Sequence, residues 1–179
     1  TNLNGTTFTS VGSSDIFVAK YSSSGNQLWA KQTGGSGSDR GLSIATDRTG
    51  NAYLTGDFSG TATFGTSTLT SFGSTDAFVA KYDASGNVLW AKGSGGAQAD
   101  MGRGISVDNA GFSYVTGSFA GEANFGGVIR KSSGGTDAYL AKYNAEGATH
   151  WVKNPTAIGT SDYGRKIAVD SQGNTYVTG

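Results

Sequence analysis

The chain has 179 residues, with 13 basic and 13 acidic side chains, one histidine and no cysteine. A neutral chain without a basic stripe lacks the surface that nucleic-acid phosphates require, so we expect no nucleic-acid partner. The absence of cysteine excludes disulfides, thiolate nucleophiles and cysteine-based zinc sites. No apolar run approaches the roughly 18 residues needed to cross a membrane, so we expect no membrane span.

A repeat of 61 residues runs through almost the whole chain. The phrase DIFVAKY at 15–21 returns as DAFVAKY at 76–82 and as DAYLAKY at 137–143, and a tryptophan follows each one, at Trp29, Trp90 and Trp151. One additional residue near Pro155 lengthens the last interval to 62. Such a repeat is typical of stacked units that are too small to bury their own apolar faces.

Each repeat is predicted to form four short strands, which in the second complete copy are 104–108, 113–119, 137–143 and 149–153. Apolar residues on both faces of these strands indicate sheets that are covered on both sides. A Gly/Ser/Thr-rich stretch joins strands two and three, at 59–75 and again at 120–136. Because Phe64 and Phe125 recur within it, we expect an extra hairpin folded against the protein. No segment has the pattern of an amphipathic helix.

Four-stranded units repeated head to tail favour an all-β fold, namely a β-propeller of antiparallel blades packed around an axis. A β-solenoid is the alternative, although its coils are usually shorter. The repeat boundaries predict a half blade at 1–40, full blades at 41–101 and 102–163, and a half blade at 164–179, about three blades' worth.

Three blades are too few to close a ring, since propellers typically have four to eight. One explanation is that the chain is a fragment of a larger propeller, which is favoured by a strand that is cut at Gly179. The other is self-association, in which two chains complete each other's half blades and leave no open edges.

The phrases DRTGNAYLTG at 47–56, DSQGNTYVTG at 170–179 and DAFVAKYDASGNVLWAKGSGG at 76–96 resemble the bacterial SBBP β-propeller repeat. The resemblance covers nearly the whole chain. Phe112 departs from it at a turn Asn, and His150 at the Leu of the other copies. The resemblance implies a propeller of secreted, cell-surface or periplasmic bacterial proteins, and it implies no defined reaction and no cofactor.

Two recurring sets of residues have structural explanations. The Asp-x-x-Gly-Asn turns resemble a calcium loop but lack alternating acidic ligands, so we predict structural turns and no metal site; their residues are Asp47, Gly50, Asp108, Gly111, Asp170 and Gly173. The recurring aromatic residues are predicted to pack between blades and not to form a sugar platform; they are Trp29, Trp90, Trp151, Tyr53, Tyr114 and Tyr176.

The loop from strand four to the next strand one carries the candidate ligand-binding residues. Its recurring charges are Asp39, Arg40, Asp100, Arg103, Asp162 and Arg165. In a propeller this loop lies beside the central channel, where such residues could bind a polar ligand. The alternative is that Asp–Arg pairs brace neighbouring blades.

The remaining polar residues are interpreted without a functional role. Lys20, Lys81 and Lys142 recur within strand three and are interpreted as solvated or edge-protecting charges. His150 replaces a leucine and is interpreted as partly buried packing. With one histidine and no cysteine, neither a catalytic triad nor a histidine metal cluster can be assembled.

The sequence therefore favours a non-catalytic binding or interaction module, or a spacer, with a glycan or a protein as the partner. The alternative function is a segment of a propeller enzyme, such as a lyase, glycosidase or quinoprotein, whose catalytic residues lie in other blades.

Overall fold

The computed structural model describes residues 1–3, 5–155 and 159–179. Within these ranges the protein is all-β, as predicted, and no helix is present that could span a membrane. The strands are β1 (Asn2–Leu3), β2 (Thr6–Thr7), β3 (Ile16–Tyr21), β4 (Gln27–Gly35), β5 (Arg40–Thr46), β6 (Ala52–Phe58), β7 (Thr61–Phe64), β8 (Ser67–Thr70), β9 (Asp76–Tyr82), β10 (Val88–Gly96), β11 (Met101–Val107), β12 (Ser113–Phe125), β13 (Val128–Tyr143), β14 (Thr149–Lys153), β15 (Gly159–Ser161), β16 (Lys166–Val169) and β17 (Thr175–Thr178).

Two antiparallel sheets repeat the same strand order. Sheet I is formed by β5, β6, β9 and β10, and sheet II by β11, β12, β13 and β14. The registers are equivalent, since Ala52 lies opposite Tyr82 in sheet I and Ser113 lies opposite Tyr143 in sheet II. Before and after them lie two pairs of strands, β3–β4 and β16–β17, which correspond to the second and first halves of such a sheet.

The connection between strands two and three folds as the expected hairpin, and it also joins successive sheets. In sheet I it forms β7 and β8, and β7 pairs with β4 of the preceding unit at Gly34 and Thr63. In sheet II the end of β12 and the start of β13 form the hairpin, which pairs with β10 at Gly95 and Asn124. The additional residue expected near Pro155 falls in an interval that includes 156–158, outside the described residues.

The hydrophobic core consists of two clusters between successive sheets. The first joins β3 to sheet I and contains Val18, Phe58 and Phe64; the second joins sheet I to sheet II and contains Val79 and Phe125. Strands β6 and β9 are buried along their whole length, so sheet I is covered on both sides as predicted.

Burial of an equivalent position depends on whether a neighbouring sheet covers it. Phe78 and Tyr139 are 2% and 1% exposed, whereas the equivalent Phe17 in β3 is 53% exposed. Ile105 is 6% exposed, whereas the equivalent Ile44 in β5 is 53% exposed. Stacking of sheets, and not the sheet itself, therefore buries most of the apolar surface of each repeat.

Candidate functional site

In β4 and β10, a tryptophan near the start of the fourth strand contacts the turn between strands three and four of the next sheet. Trp29 in β4 donates its Nε1–H to the carbonyl oxygen of Ala84 at 3.0 Å, and Trp90 in β10 donates to that of Ala145 at 2.9 Å. Each indole also lies against a glycine of that turn, because a Cβ built on Gly86 or on Gly147 would lie 2.8 Å from the ring. We call this contact the tryptophan latch.

The recurring lysine of strand three belongs to the same latch. Lys20 donates from Nζ to the carbonyl oxygen of Ala84 at 3.1 Å, and Lys81 donates to that of Ala145 at 3.4 Å. Lys81 is only 9% exposed, so its interpretation as a solvated charge is wrong. The ammonium groups help to join sheets because they share the acceptor of the indole N–H.

Sequence reasoning missed a cluster at the positions that depart from the repeat. The Phe112 and His150 rings are 5.7 Å apart, edge to face, and Lys142 Nζ lies 4.2 Å above the Phe112 ring. His150 is exposed, as are Leu28 and Leu89 at the equivalent positions, so the expectation of buried packing is wrong. The available signal was that both departures from the repeat occur in the same unit.

The Asp-x-x-Gly-Asn turns are stabilised by hydrogen bonds within each turn. The Asp47 carboxylate accepts the backbone N–H groups of Thr49 and Asn51 and the side-chain amide of Asn51. Asp108 and Asp170 make the same backbone bonds, and Tyr114 and Tyr176 donate their hydroxyls to them. The turn glycines Gly50, Gly111 and Gly173 have φ values of 86°, 84° and 84°, which a side chain would strain.

These internal bonds occupy the carboxylate oxygens that a cation would need. The side-chain amide of Asn174 holds the pKa of Asp170 below its ordinary value by donating to it. Within the described part of the chain, no group of three His, Cys, Asp or Glu side chains is arranged to hold a metal ion.

Two aspartates of the loop between strand four and the next strand one, Asp39 and Asp100, are buried at the junctions between sheets. Asp100 is 0% exposed and accepts the N–H of Gly96 at 2.8 Å and that of Ala120 at 3.1 Å. A second carboxylate, Asp76, lies beside it, because both approach within 3 Å of the position of a Cβ on Gly95. The same arrangement recurs around Gly34, where Asp39 and Asp15 meet.

Burial raises the pKa of Asp76 and the pKa of Asp100 to about 6, and the charge of Asp76 contributes to the shift at Asp100. A carboxyl whose pKa is raised on folding stabilises the folded state below its unfolded pKa of about 3.9. That contribution is lost as the pH rises through the folded pKa. The pair therefore favours folding at acidic pH and opposes it near neutrality.

We expect the double variant Asp76→Asn with Asp100→Asn to show a flatter dependence of stability on pH. Between pH 4 and pH 7 the wild type should lose about 4–5 kcal/mol more of its unfolding free energy than the variant does, about half of it from each carboxyl. Urea unfolding of both proteins at pH steps of half a unit measures this difference. The contributions of all other carboxylates are common to the two proteins and cancel in it. Parallel profiles for the two proteins would contradict the assignment.

Two arginines of the same loops, Arg40 and Arg103, lie on the first strands β5 and β11, and Arg165 directly precedes the first strand β16. Arg40 donates from Nε and Nη2 to Asp57 at 3.0 and 2.9 Å, which is the one ion pair among the described residues. The guanidinium carbons of Arg103 and Arg165 lie 5.5 and 5.9 Å from the centre of the Tyr163 ring. We call Arg40, Arg103, Tyr163 and Arg165 the arginine row.

The Asp–Arg pairs of the alternative explanation, which would brace neighbouring blades, are not formed by Asp39 or Asp100, because both carboxylates are buried in the junctions and accept backbone N–H groups there. The Arg40 side chain is 50% exposed, while its partner Asp57 is 2% exposed. Burial raises the pKa of Asp57, although Arg40 and Arg103 act in the opposite direction. Asp162 is half-buried, and its backbone N–H donates to the carbonyl of Thr136.

Arg40, Tyr163 and Arg165 are exposed at these loops, and Arg103 is half-buried. Tyr163 was not among the predicted residues, although it directly follows Asp162 in the sequence. The ligand-binding role of the arginines stays a prediction.

Curated proteins that resemble the chain are much longer than it is. The chain is 32% identical over 157 residues to the regulatory protein FlaEY of Caulobacter vibrioides, which covers 86% of this chain and 16% of that protein. It is 32% identical over 148 residues to the uncharacterized WD repeat-containing protein L264 of Acanthamoeba polyphaga mimivirus, which covers 74% of this chain and 10% of that protein.

The SBBP family, a β-propeller repeat, matches the chain three times, at residues 28–57, 90–118 and 151–179. Each match begins at or next to a latch tryptophan and ends within or just after the second strand of the following unit, so it spans the junction between two sheets. The repeat that is visible in the sequence and the latch that is visible in the structure thus coincide with the family's unit, and the chain belongs to the SBBP β-propeller repeat family.

Proposed function

We propose that this chain is a non-catalytic interaction module that supplies about three blades of a β-propeller and binds an acidic protein segment through the arginine row. The observation that carries the proposal is that three guanidinium groups and Tyr163 lie on or directly before adjoining first strands, and that among the described residues only Arg40 forms an ion pair with a carboxylate. The names of the two relatives, a regulatory protein and a WD repeat-containing protein, support an interaction role.

The chemistry of the row fits carboxylates. Arginine offers a planar fork of donors that matches a carboxylate in two parallel hydrogen bonds. Arginine and tyrosine are also enriched among the residues that dominate binding energy at protein interfaces. The Arg103 side chain is already held by contacts with Met101 Sδ, which lies 3.1 Å from Nη2, and with the Tyr163 ring. Binding therefore costs little additional side-chain entropy at Arg103.

Because Asp39 and Asp100 are buried in the junctions and Asp162 is half-buried, the groups that reach solvent here are predominantly cationic. An acidic partner is therefore attracted to this edge of the sheets and not repelled from it. We place the protein in the bacterial extracellular, cell-surface or periplasmic space, and a glycan partner or a purely spacing role are the competing outcomes.

The proposal is tested with synthetic peptide arrays of graded Asp and Glu content and with a glycan array in parallel. We expect binding to acidic peptides that weakens with salt, and a loss of about tenfold or more in affinity, or about 1.4 kcal/mol, in the variant Arg103→Gln with Arg165→Gln. Arg40 is left in place because its removal would leave Asp57 buried without a partner.

The matched control is Lys92→Gln, which removes an exposed cation from β10, away from the row. It should bind acidic peptides as the wild type does. Binding to glycans and to no peptide would contradict a protein partner and indicate a glycan instead. Absence of binding on both arrays would leave only the spacer role.

A further inference from the structure

A pocket recurs at two successive junctions between sheets, next to the fourth strand. The pocket between β4 and sheet I has a volume of about 290 Å³, and the pocket between β10 and sheet II has a volume of about 240 Å³. Each is lined by the fourth strand, by the tip of the hairpin and by the turn that receives the tryptophan latch. We call them the junction pockets. Every wall of both pockets is formed by residues between 31 and 149, in equivalent positions of the repeat.

A pair of buried hydroxyl groups lines each junction pocket. The oxygens of Tyr82 and Thr33 are 3.5 Å apart, and those of Tyr143 and Ser94 are 3.2 Å apart. Both distances exceed the roughly 2.7–2.8 Å of a typical O–H···O bond. Burial raises the pKa of Tyr143 to about 12, so this hydroxyl stays protonated at neutral pH. Each pair has two hydroxyl hydrogens and one hydrogen bond, so one hydrogen per pair has no acceptor among the described residues.

A lysine faces each junction pocket. Successive residues of a strand point to opposite faces, so Lys92 shares a face of β10 with Trp90 and Ser94, which both contact sheet II. Lys31 has the equivalent position in β4. Both lysines are exposed, and within the described part of the chain neither ammonium group forms a hydrogen bond or an ion pair. Two ammonium groups are therefore available to a ligand in the pockets.

The walls of the junction pockets are packed without a ligand. A Cβ built on Gly126 would lie 2.6 Å from Thr149 Oγ1, and one built on Gly65 would lie 3.0 Å from Val88. The tip of the hairpin thus lies directly against the start of the fourth strand of its own sheet. Because the walls are already in place, binding costs little ordering of the protein.

The lining of the junction pockets fits a small hydroxylated anion. Among the described residues that line them, neither pocket has a carboxylate, so the lysine sets the charge. The unused hydroxyl hydrogen requires an oxygen acceptor. Both volumes lie below the range of about 300–1,000 Å³ that is typical of sites for drug-sized ligands, which suits a single sugar ring. A uronate ring carries a carboxylate together with hydroxyl groups, whereas an aspartate or glutamate side chain carries a carboxylate alone.

We propose that each junction pocket binds one uronate unit of an acidic polysaccharide, with the carboxylate on the lysine and a ring oxygen on the buried hydroxyl pair. A neutral sugar would leave the ammonium group without a partner, and an acidic peptide would leave the hydroxyl hydrogen without one. This activity goes beyond the acidic protein partner and uses other residues. The pockets lie at fourth strands, whereas the arginine row lies on or directly before first strands. Pockets in successive repeats can hold one polysaccharide at two points, which raises its apparent affinity.

The proposal is tested by isothermal titration calorimetry of the whole chain with oligomers of galacturonate, glucuronate and mannuronate. The neutral controls are the corresponding galactose, glucose and mannose oligomers. At least one uronate should bind, with an affinity that falls as salt is added. Its neutral counterpart should bind about tenfold more weakly or not at all. The variant Lys31→Gln with Lys92→Gln removes both ammonium groups and should lower the affinity for the uronate by about tenfold or more.

The matched control is Arg48→Gln with Lys131→Gln, which removes two exposed cations that line neither junction pocket. It should bind the uronate as the wild type does. A second measurement needs no variant: in NMR spectra of the wild type, the uronate should shift the backbone amide signals of Gly126 and Thr149. Shifts at Arg103 in their place would overturn the proposal, since the sugar would then lie on the arginine row.

Absence of binding to all three uronates would also overturn it, as would equal affinities for acidic and neutral sugars or equal losses in the lysine variant and its control. The lysine variant should still bind acidic peptides, and Arg103→Gln with Arg165→Gln should still bind the uronate. Loss of either activity alone leaves the other proposal standing, so the two failures are distinguishable.

Discussion

Trp90→Ala is expected to lower the free energy of unfolding by about 3–5 kcal/mol, the range for truncating a large packed aromatic side chain. The indole donates a hydrogen bond to Ala145 at 2.9 Å, lies against Gly147 and meets the Tyr53 ring edge to face at 6.2 Å. The contacts with Ala145 and Gly147 cross from sheet I to sheet II, whereas Tyr53 lies in sheet I itself. Their loss weakens the junction on which burial of the second core cluster depends. Urea unfolding followed by fluorescence or circular dichroism measures the change.

The control is Leu89→Ala, one residue earlier in β10. Leu89 is 52% exposed, so its replacement should lower the free energy of unfolding by no more than about 0.5 kcal/mol, as for surface substitutions in general. Equal losses at the two positions would show that the latch does not stabilise the stacked sheets.

Tryptophans spaced by the repeat could be predicted to pack between units, but their acceptors could not. The oxygen that receives Trp29 is the backbone carbonyl of Ala84, which lies 55 residues away and has no side-chain signature. The equivalent carbonyl of Ala145 explains why Lys81 was misinterpreted. A sequence shows that a residue is charged, whereas the partner that removes the charge from solvent belongs to the next unit.

The charged residues of the loops could be identified from the sequence, but the partners of their side chains could not. Asp100 and Arg103 are close in sequence, but the register of β11 shifts between Gly102 and Gly104. Asp100 lies buried in the junction, while Arg103 contacts Tyr163. The partner of Arg40 is Asp57, which lies directly opposite it in the β5–β6 ladder, so a strand register was needed to find it.

The repeat made the strands and the hairpin predictable because each position could be compared with its equivalents. Phe64 and Phe125 recur within polar stretches, and burial is the simplest reason for a large aromatic residue to recur there. The pairing of each hairpin with the preceding sheet was not predictable, since Gly34 and Gly35 meet Thr63 and Ala62 only through their backbones.

Gly117→Ala is expected to destabilise the protein by about 3 kcal/mol or more, at the upper end of the cost of inserting atoms into a packed core. A Cβ on Gly117 would lie 1.8 Å from the carbonyl oxygen of Met101 and 2.9 Å from the Tyr139 ring. The carbonyl is backbone that pairs within sheet II, so it cannot move aside without opening the β11–β12 ladder. The same approach recurs at Gly56, where a Cβ would lie 1.8 Å from the oxygen of Arg40.

The matched control is Gly93→Ala, the same substitution within β10, where the new methyl group would lie 3.4 Å from the Phe58 ring. That distance is an ordinary contact, and the lower entropy of the unfolded chain should make the change neutral or stabilising by up to about 1 kcal/mol. Urea midpoints and the yield of soluble protein separate the two variants. A folded Gly117→Ala protein as stable as Gly93→Ala would show that the β11–β12 ladder relaxes around the methyl group. In that case the glycine that ends each YLTG or YVTG phrase would have no steric role in the fold.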